Sequence, residues 1–315
     1  DMGDSYANCN ELSIYPDELD MLEYICANFD TVIMVINASN TMELGFIKDG
    51  GSYTDKHTGK TYDFSKIKGA LWVGGVGSTG CYAINDILCG DVCPSGHLPD
   101  TYVRDVLSTP AAINTGDYEY TNSGTRNGQS SYNEVDHFVI YKEGIYVGYR
   151  YYETRGETDG EDWYNANVVY PFGYGLSYTT FEWTVGDASA SEIELGTTIT
   201  VPVTVKNTGS VAGKDVVQLY ASAPYTMGGI EKAHKVLVGF AKTKLLQPGE
   251  SETVTVSFDP YSVASYDYRD ANSNGFSGYE LEAGEYTLYV SRNAHESEKA
   301  IALNLAADVQ IGTDP

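Results

Sequence analysis

The stretch Gly69 to Pro99, GALWVGGVGSTGCYAINDILCGDVCPSGHLP, limits what this chain can fold into more than any other. The apolar run Ala70-Leu71-Trp72-Val73 is strand-sized and ends in glycines. After Gly80 the residues Ala83, Ile84, Ile87 and Leu88 recur at spacings of three and four, which is one face of a helix. Gly90 stops that helix, and Pro94, which has no backbone donor, keeps it from resuming. Strand, tight turn and returning helix form the unit of an α/β layer, so the first half of the chain is read as α/β.

The glycines offer a second reading. Gly75-Val76-Gly77-Ser78-Thr79-Gly80 matches GxGxxG after a strand and before a helix, where a dinucleotide fold holds a pyrophosphate on helix N–H groups. The fuller fingerprint needs an acidic residue closing a second strand about 20 residues on. The turn-rich loop Pro94-Ser95-Gly96-His97-Leu98-Pro99-Asp100 follows instead. Hard turning of the backbone is the favoured reading, no cofactor is expected, and a nucleotide-dependent oxidoreductase is a distant rival.

The flanking residues extend the alternation. Pro16, Asp17 and Glu18 suit a first helical turn, and Leu19, Leu22, Cys26 and Phe29 make one apolar stripe. Thr31 to Ile36, TVIMVI, reads as a strand covered on both faces, so a largely parallel sheet is expected. Residues 48–66 and the long polar stretch 105–136 read as loops, the latter either functional or a surface insertion. Phe138 to Tyr152 reads as strand, with Glu143 and Arg150 in a paired structural role. Gly156 to Asp162 reads as a solvated acidic loop, preferred over a calcium site.

After Thr184 the texture changes. Ile199, Val201, Val203 and Val205 alternate with Thr198, Thr200, Pro202 and Thr204, a half-buried strand. Further strands are expected at Val216–Ala221, Lys235–Ala241, Glu252–Phe258 and Glu285–Ser291, separated by turn clusters, which together indicate a β-sandwich. The expected division is therefore 1–184 for the α/β part and 185–315 for the all-β part, with the change falling near Phe181 to Asp187. Asp270, Asn272, Asn274 and Gly275 begin like a calcium loop, but the twelfth position is Leu281 and Glu280 comes one place early, so a polar hairpin turn is expected and no metal.

Charge and cysteine narrow the function classes. Nineteen basic against 44 acidic residues give −25, which repels nucleic acid and anionic membrane and leaves a neutral substrate as the better fit. No apolar run is long enough to span a bilayer. Five cysteines with no CxxC pair suggest reduced thiols and a cytoplasmic setting, Cys81 and Cys89 being read as small core residues on the helix. The 27 tyrosines are first of all strand residues.

Three ordered motifs then carry a resemblance. GGVGSTG followed by AINDILCGDVCPSGHLP, then Glu143 to Tyr152 (EGIYVGYRYY), then Tyr170 to Tyr178 (YPFGYGLSY), resemble the later part of the α/β sandwich domain of glycoside hydrolase family 3. Asn207-Thr208-Gly209, Gly239-Phe240, Leu246 to Glu250 and Glu282 to Tyr286 resemble the fibronectin type III-like domain that accompanies many such enzymes. The resemblance implies a retaining, exo-acting, β-glucosidase-like activity on terminal β-linked sugars, with two carboxyl groups roughly 5 Å apart. It also implies that the nucleophile, an Asp, sits on a (β/α)8 barrel and that the acid/base, a Glu, lies upstream of the helix at Pro16. A barrel needs about 250 residues, so none fits before the sandwich. No catalytic residue is therefore expected in this chain, which alone would be inactive; Glu119, Glu134 and Glu143 are acidic but cannot be paired from sequence. Asp1, Asp4 and Tyr6 are the candidate substrate-rim residues. Expected partners are a carbohydrate, the barrel of the same protein and a second copy of the chain; the permuted order, with the barrel after the fibronectin-like domain, is also compatible. The rival is a non-catalytic carbohydrate-binding or scaffold protein of the same two domains.

Overall fold

A computed structural model describes residues 12–114, 118–119, 137–138 and 140–312. Helix α1 (Pro16–Asn28) opens with the proline at its first position and with Glu18 reaching back to the Tyr15 backbone N–H at 2.9 Å. It buries Leu19, Leu22 and Cys26. Phe29, the fourth residue of the expected stripe, lies past the helix end in extended backbone and is exposed.

Strand β1 (Val32–Ile36) pairs in parallel with β2 (Ile67–Trp72), and helix α2 (Cys81–Cys89) follows after the glycine turn. Beside them Phe46, Tyr62 and Phe64 pack with Leu19, Leu22 and Ile36 into one core, Tyr62 stacked on Phe64 at 5.4 Å. Strand β1 is not covered on both faces by the described residues. Ile33 is 53% and Val35 42% exposed, while Val32 and Met34 pack inward. Helix α2 likewise buries no residue, and Cys81 and Cys89 are exposed rather than core residues, because nothing described packs over that side.

A short antiparallel pair, β3 (Tyr102–Val103) with β4 (Val168–Tyr170), closes the other end of this domain. Before β4 come α3 (Tyr149–Asp159) and α4 (Glu161–Asn167), where the sequence suggested a strand and an acidic loop. The β-favouring tyrosines here are placed by packing instead. Tyr149 stacks on Phe172 at 4.7 Å, and Tyr152, 6% exposed, lies parallel to Trp163. Gly148, at φ +59°, turns the chain into α3, and a Cβ on Gly156 would stand 2.9 Å from the Tyr164 ring, so glycine permits α3 and α4 to touch. Glu143 and Arg150 pair neither with each other nor with another charged residue among the described ones; the Glu143 carbonyl accepts from Tyr146 N–H at 3.0 Å in a turn.

The second half is the expected sandwich. One sheet runs β9 (Ser251–Phe258), β6 (Ile199–Asn207), β5 (Phe181–Val185); the other runs β8 (Val236–Lys242), β7 (Val216–Ser222), β12 (Gly284–Ser291), β13 (Ser297–Leu305). Strand β5 straddles the 184/185 border read from sequence, with all five of its residues paired to β6. Ile199, Val201, Val203 and Val205 are wholly buried and meet Leu219, Val256, Leu288 and Leu303 in one core, as the alternation required. A small third sheet holds β10 (Ser265–Asp267), β11 (Gly278–Leu281) and β14 (Val309–Gly312).

The motifs that carried the resemblance form the joint between the two halves. In PSGHLP, Leu98 N–H donates to Tyr174 O at 2.8 Å and Leu98 O accepts from Gly173 N–H at 2.9 Å, so the first and third motifs are laced together. The buried Gln218 of β7 then donates to Gly173 O at 3.0 Å and to Arg292 O at 2.7 Å, and Ala294 N–H donates to Phe172 O at 2.9 Å. The second motif supplies α3, whose Tyr149 hydroxyl accepts from Leu237 N–H at 2.8 Å and whose Thr154 hydroxyl accepts from His234 N–H at 2.9 Å.

Candidate functional site

Because β1 and β2 run parallel, their carboxyl ends open at the same edge, which is where ligands settle in open α/β sheets. At that edge lies a cleft of about 410 Å³ lined by Ser39, Asn40, Thr41, Trp72, Asp100 and Tyr102, with Leu12 and Pro99 closing its sides. Trp72 is the last residue of β2. Its indole N–H donates to Ala38 O at 2.9 Å, which fixes the ring plane, and Gly74, at φ +56°, passes close enough that a Cβ would sit 3.3 Å from the indole.

Asp100 is carried in by the laced PSGHLP segment. Its Oδ1 accepts from Thr101 N–H at 2.8 Å. Burial raises its carboxyl above the ordinary carboxylate value, against the opposing effect of that N–H. Beside it the Thr101 hydroxyl and the Tyr152 hydroxyl are buried with no hydrogen-bond partner among the described residues. Tyr152 is held un-ionised, first by burial and then by Tyr151 and the charge of Asp100. Among the described residues the set comprises the Trp72 indole, the Tyr102 phenol, one carboxylate, an amide and several hydroxyls. It can stack the apolar face of a sugar ring and exchange hydrogen bonds with its hydroxyls. Among the described residues it holds a single acid, so the two-carboxylate chemistry of a glycosidase is not assembled by those residues alone.

Asp1, Asp4, Tyr6 and Glu134 lie outside the described residues, and of Glu119 only the backbone is described. Leu12, the first described residue, lines the cleft. Trp72 was read in sequence only as a strand end and Asp100 only as part of a loop. The signal that could have found them was position, each lying at the carboxyl edge of a parallel sheet.

The other sequence candidates resolve into backbone geometry. Gly77 has φ +63°, and a Cβ on Gly80 would lie 2.4 Å from Val76 O, so these glycines are required by the turn itself. In the hairpin between β10 and β11, the Asp270 carboxylate accepts from Gly275 N–H at 3.1 Å, Asn272 Oδ1 from Asn274 N–H, and Asn274 Nδ2 donates to Glu280 Oε2 at 2.6 Å. It is the polar hairpin turn read from sequence, and among the described residues no His, Cys, Asp and Glu cluster is arranged to hold a metal.

Residues 2–149 match the model of the glycosyl hydrolase family 3 C-terminal domain, and residues 215–294 match the fibronectin type III-like domain. The chain belongs to glycoside hydrolase family 3. It is 35% identical over 288 residues to a beta-glucosidase of Ruminococcus albus, covering 91% of this chain and 25% of that protein. It is 37% identical over 291 residues to beta-glucosidase A of Butyrivibrio fibrisolvens, covering 89% of this chain and 30% of that one. Among solved structures, a beta-glucosidase of Paenibacillus barengoltzii matches with a TM-score of 0.76 and 33% identity over 96% of this chain and 29% of its own. Beta-glucosidase 3B of Thermotoga neapolitana, in complex with glucose, matches at 0.71 and 30% over 95% and 35%. The family 3 chain described here thus spans only about a quarter to a third of these relatives.

Proposed function

We propose that residues 1–315 are the non-barrel portion of a retaining, exo-acting, β-glucosidase-like glycosidase, and that the cleft beside Trp72 and Asp100 is one wall of the pocket for a terminal β-linked sugar. The observation that carries this reading is the cleft itself: one indole plate and one carboxylate at the carboxyl ends of parallel strands, with room for a pyranose ring, in a chain whose relatives bear the name beta-glucosidase. The uncovered surfaces support it. A two-stranded parallel sheet with Ile33 and Val35 open, in a domain that also exposes Met21 and Tyr24 of α1 and Tyr82 and Leu88 of α2, is expected to carry further polypeptide. In this reading that polypeptide includes the (β/α)8 barrel with the nucleophilic Asp, and the acid/base Glu likewise belongs to polypeptide outside residues 1–315.

The test compares the intact gene product with the 315-residue chain on aryl β-glucoside, β-xyloside and N-acetyl-β-glucosaminide. The intact protein hydrolyses at least one of them and releases the β-anomer first, while the chain alone does not. Turnover by the chain alone, or an intact protein that binds sugar and cleaves none of the three, would overturn the proposal, the latter in favour of a non-catalytic binding protein.

A further inference from the structure

The joint between the domains contains a charged cluster that neither the cleft nor the resemblance calls for. His295, in the turn between β12 and β13, lies flat on Tyr164 of α4 with ring centroids 3.8 Å apart and planes 10° from parallel. Its Nδ1 stands 3.2 Å from Glu153 Oε2 on α3, and its Nε2 stands 3.2 Å from Glu161 Oε1 on α4. Glu153 is only 4% exposed. Its other oxygen accepts from the Tyr164 hydroxyl at 2.7 Å. A neutral imidazole carries one N–H, so against two carboxylates it would turn a lone pair toward one of them. Only the doubly protonated ring donates to both.

We propose that His295 is a proton-operated latch, closed on Glu153 and Glu161 when the ring carries both protons and released when it loses one, so that pH governs how tightly the fibronectin-like domain is held to the α/β domain. The whole surround is consistent with this. Lys235, preceding β8, places Nζ 3.9 Å from Glu153 Oε2, donates to Ala294 O at 3.1 Å, and sits over the Tyr289 ring of β12. His234 faces Glu157 of α3 at 3.7 Å, and Tyr220 of β7 meets Tyr149 of α3 edge-on with centroids 5.8 Å apart, its own hydroxyl donating to Gln218 Oε1 at 2.7 Å. In the turn, Asn293 Nδ2 donates to Glu296 Oε2 at 2.9 Å, and Asn293 Oδ1 accepts from the His295 and Glu296 N–H groups at 2.9 and 2.8 Å.

Of these groups, Glu153 is the buried negative charge, and Lys235 and His295 are the cations that face it. Burial lowers the pKa of Lys235 and of His234, whereas for His295 burial is outweighed by the hydrogen bonds and charges of Glu153 and Glu161, which raise it. The sign follows. A histidine whose pKa is raised by folding adds stability in full below its unfolded value of about 6.5 and loses it as pH climbs through the folded value. With Lys235 still beside Glu153 the joint then loosens without coming apart.

The experiment is side-chain nitrogen NMR of the 315-residue chain, together with thermal unfolding of wild type, His295→Gln and Glu161→Gln between about pH 5.5 and pH 8.5. Expected results are a His295 ring protonated at both nitrogens at the acid end of this range, with a midpoint above the free value. The midpoint should fall in Glu161→Gln, and the Tm gap between wild type and His295→Gln should be widest at the acid end and narrow toward the basic end. A His295 midpoint at or below the free value, or a gap that does not change with pH, would overturn the latch. If His295→Gln fails to fold, the Glu161→Gln midpoint decides alone, and an unmoved midpoint counts against the proposal.

Discussion

Replacing Gln218 by Leu tests whether the family motifs act as an interdomain joint. The side chain is 4% exposed and ties three groups at once: it donates to Gly173 O and Arg292 O and accepts from the Tyr220 hydroxyl at 2.7 Å. Leucine fills nearly the same volume, so the loss is polar rather than a cavity. Each buried group left without a partner costs about 1–3 kcal/mol, and Tyr220 is itself wholly buried. With partial relaxation of the two carbonyls, Gln218→Leu should lower stability by about 3–5 kcal/mol, a large fraction of the roughly 5–15 kcal/mol that holds a domain folded. Gln218→Glu keeps the acceptor for Tyr220 but turns an oxygen toward two carbonyls, and should be at least as damaging. Urea unfolding followed by tryptophan fluorescence reads both. If each variant lies within about 0.5 kcal/mol of wild type, the joint does not depend on this residue and the reasoning fails.

Two further outcomes follow from the same geometry. Gly173→Ala places a Cβ 2.2 Å from Gln218 Oε1 at φ +78° and should cost about 2 kcal/mol or more, whereas Gly77→Ala, at φ +63° with open space around it, should cost only about 1 kcal/mol; equal losses on thermal unfolding would refute the packing account. Asp100, with its carboxyl pKa raised by burial, favours the folded state only below the ordinary carboxylate value, and that contribution is lost as pH rises through the folded value. Asp100→Asn should therefore raise Tm near pH 7 and not near pH 3, while weakening sugar binding in the intact enzyme; a lowered Tm at neutral pH would contradict the assigned burial effect.

The sandwich was legible because its strands are half-buried. Each inward valine of β6 alternates with an outward Thr, Pro or Lys, and that period survives without knowing any partner strand. Helix α3 was not, because YRYYETRGETD is rich in strand-favouring tyrosine and interrupted by glycine. Its helical state is set by Phe172, Trp163 and Tyr164, which lie elsewhere in the chain. The expectation of a doubly covered β1 came from the continuous apolar run TVIMVI, but among the described residues only the face with Val32, Met34 and Ile36 packs on the core, while Ile33 and Val35 are open. The cleft escaped for a different reason. Trp72 and Asp100 belong to a strand end and a loop with no shared spacing, and only the lacing of PSGHLP to Tyr174 and Gly173 brings the carboxylate to the edge where β2 ends. The motifs most recognisable in the sequence thus carry packing, and the site beside them carries no motif of its own.

Under the proposed function, the bond-breaking carboxylate belongs to polypeptide beyond these two domains. A fluorinated glucoside that forms the glycosyl-enzyme readily and releases it slowly would mark that residue in the intact protein, and peptide mass spectrometry would locate it. The labelled aspartate should lie outside residues 1–315; a labelled Asp or Glu inside them would contradict that placement.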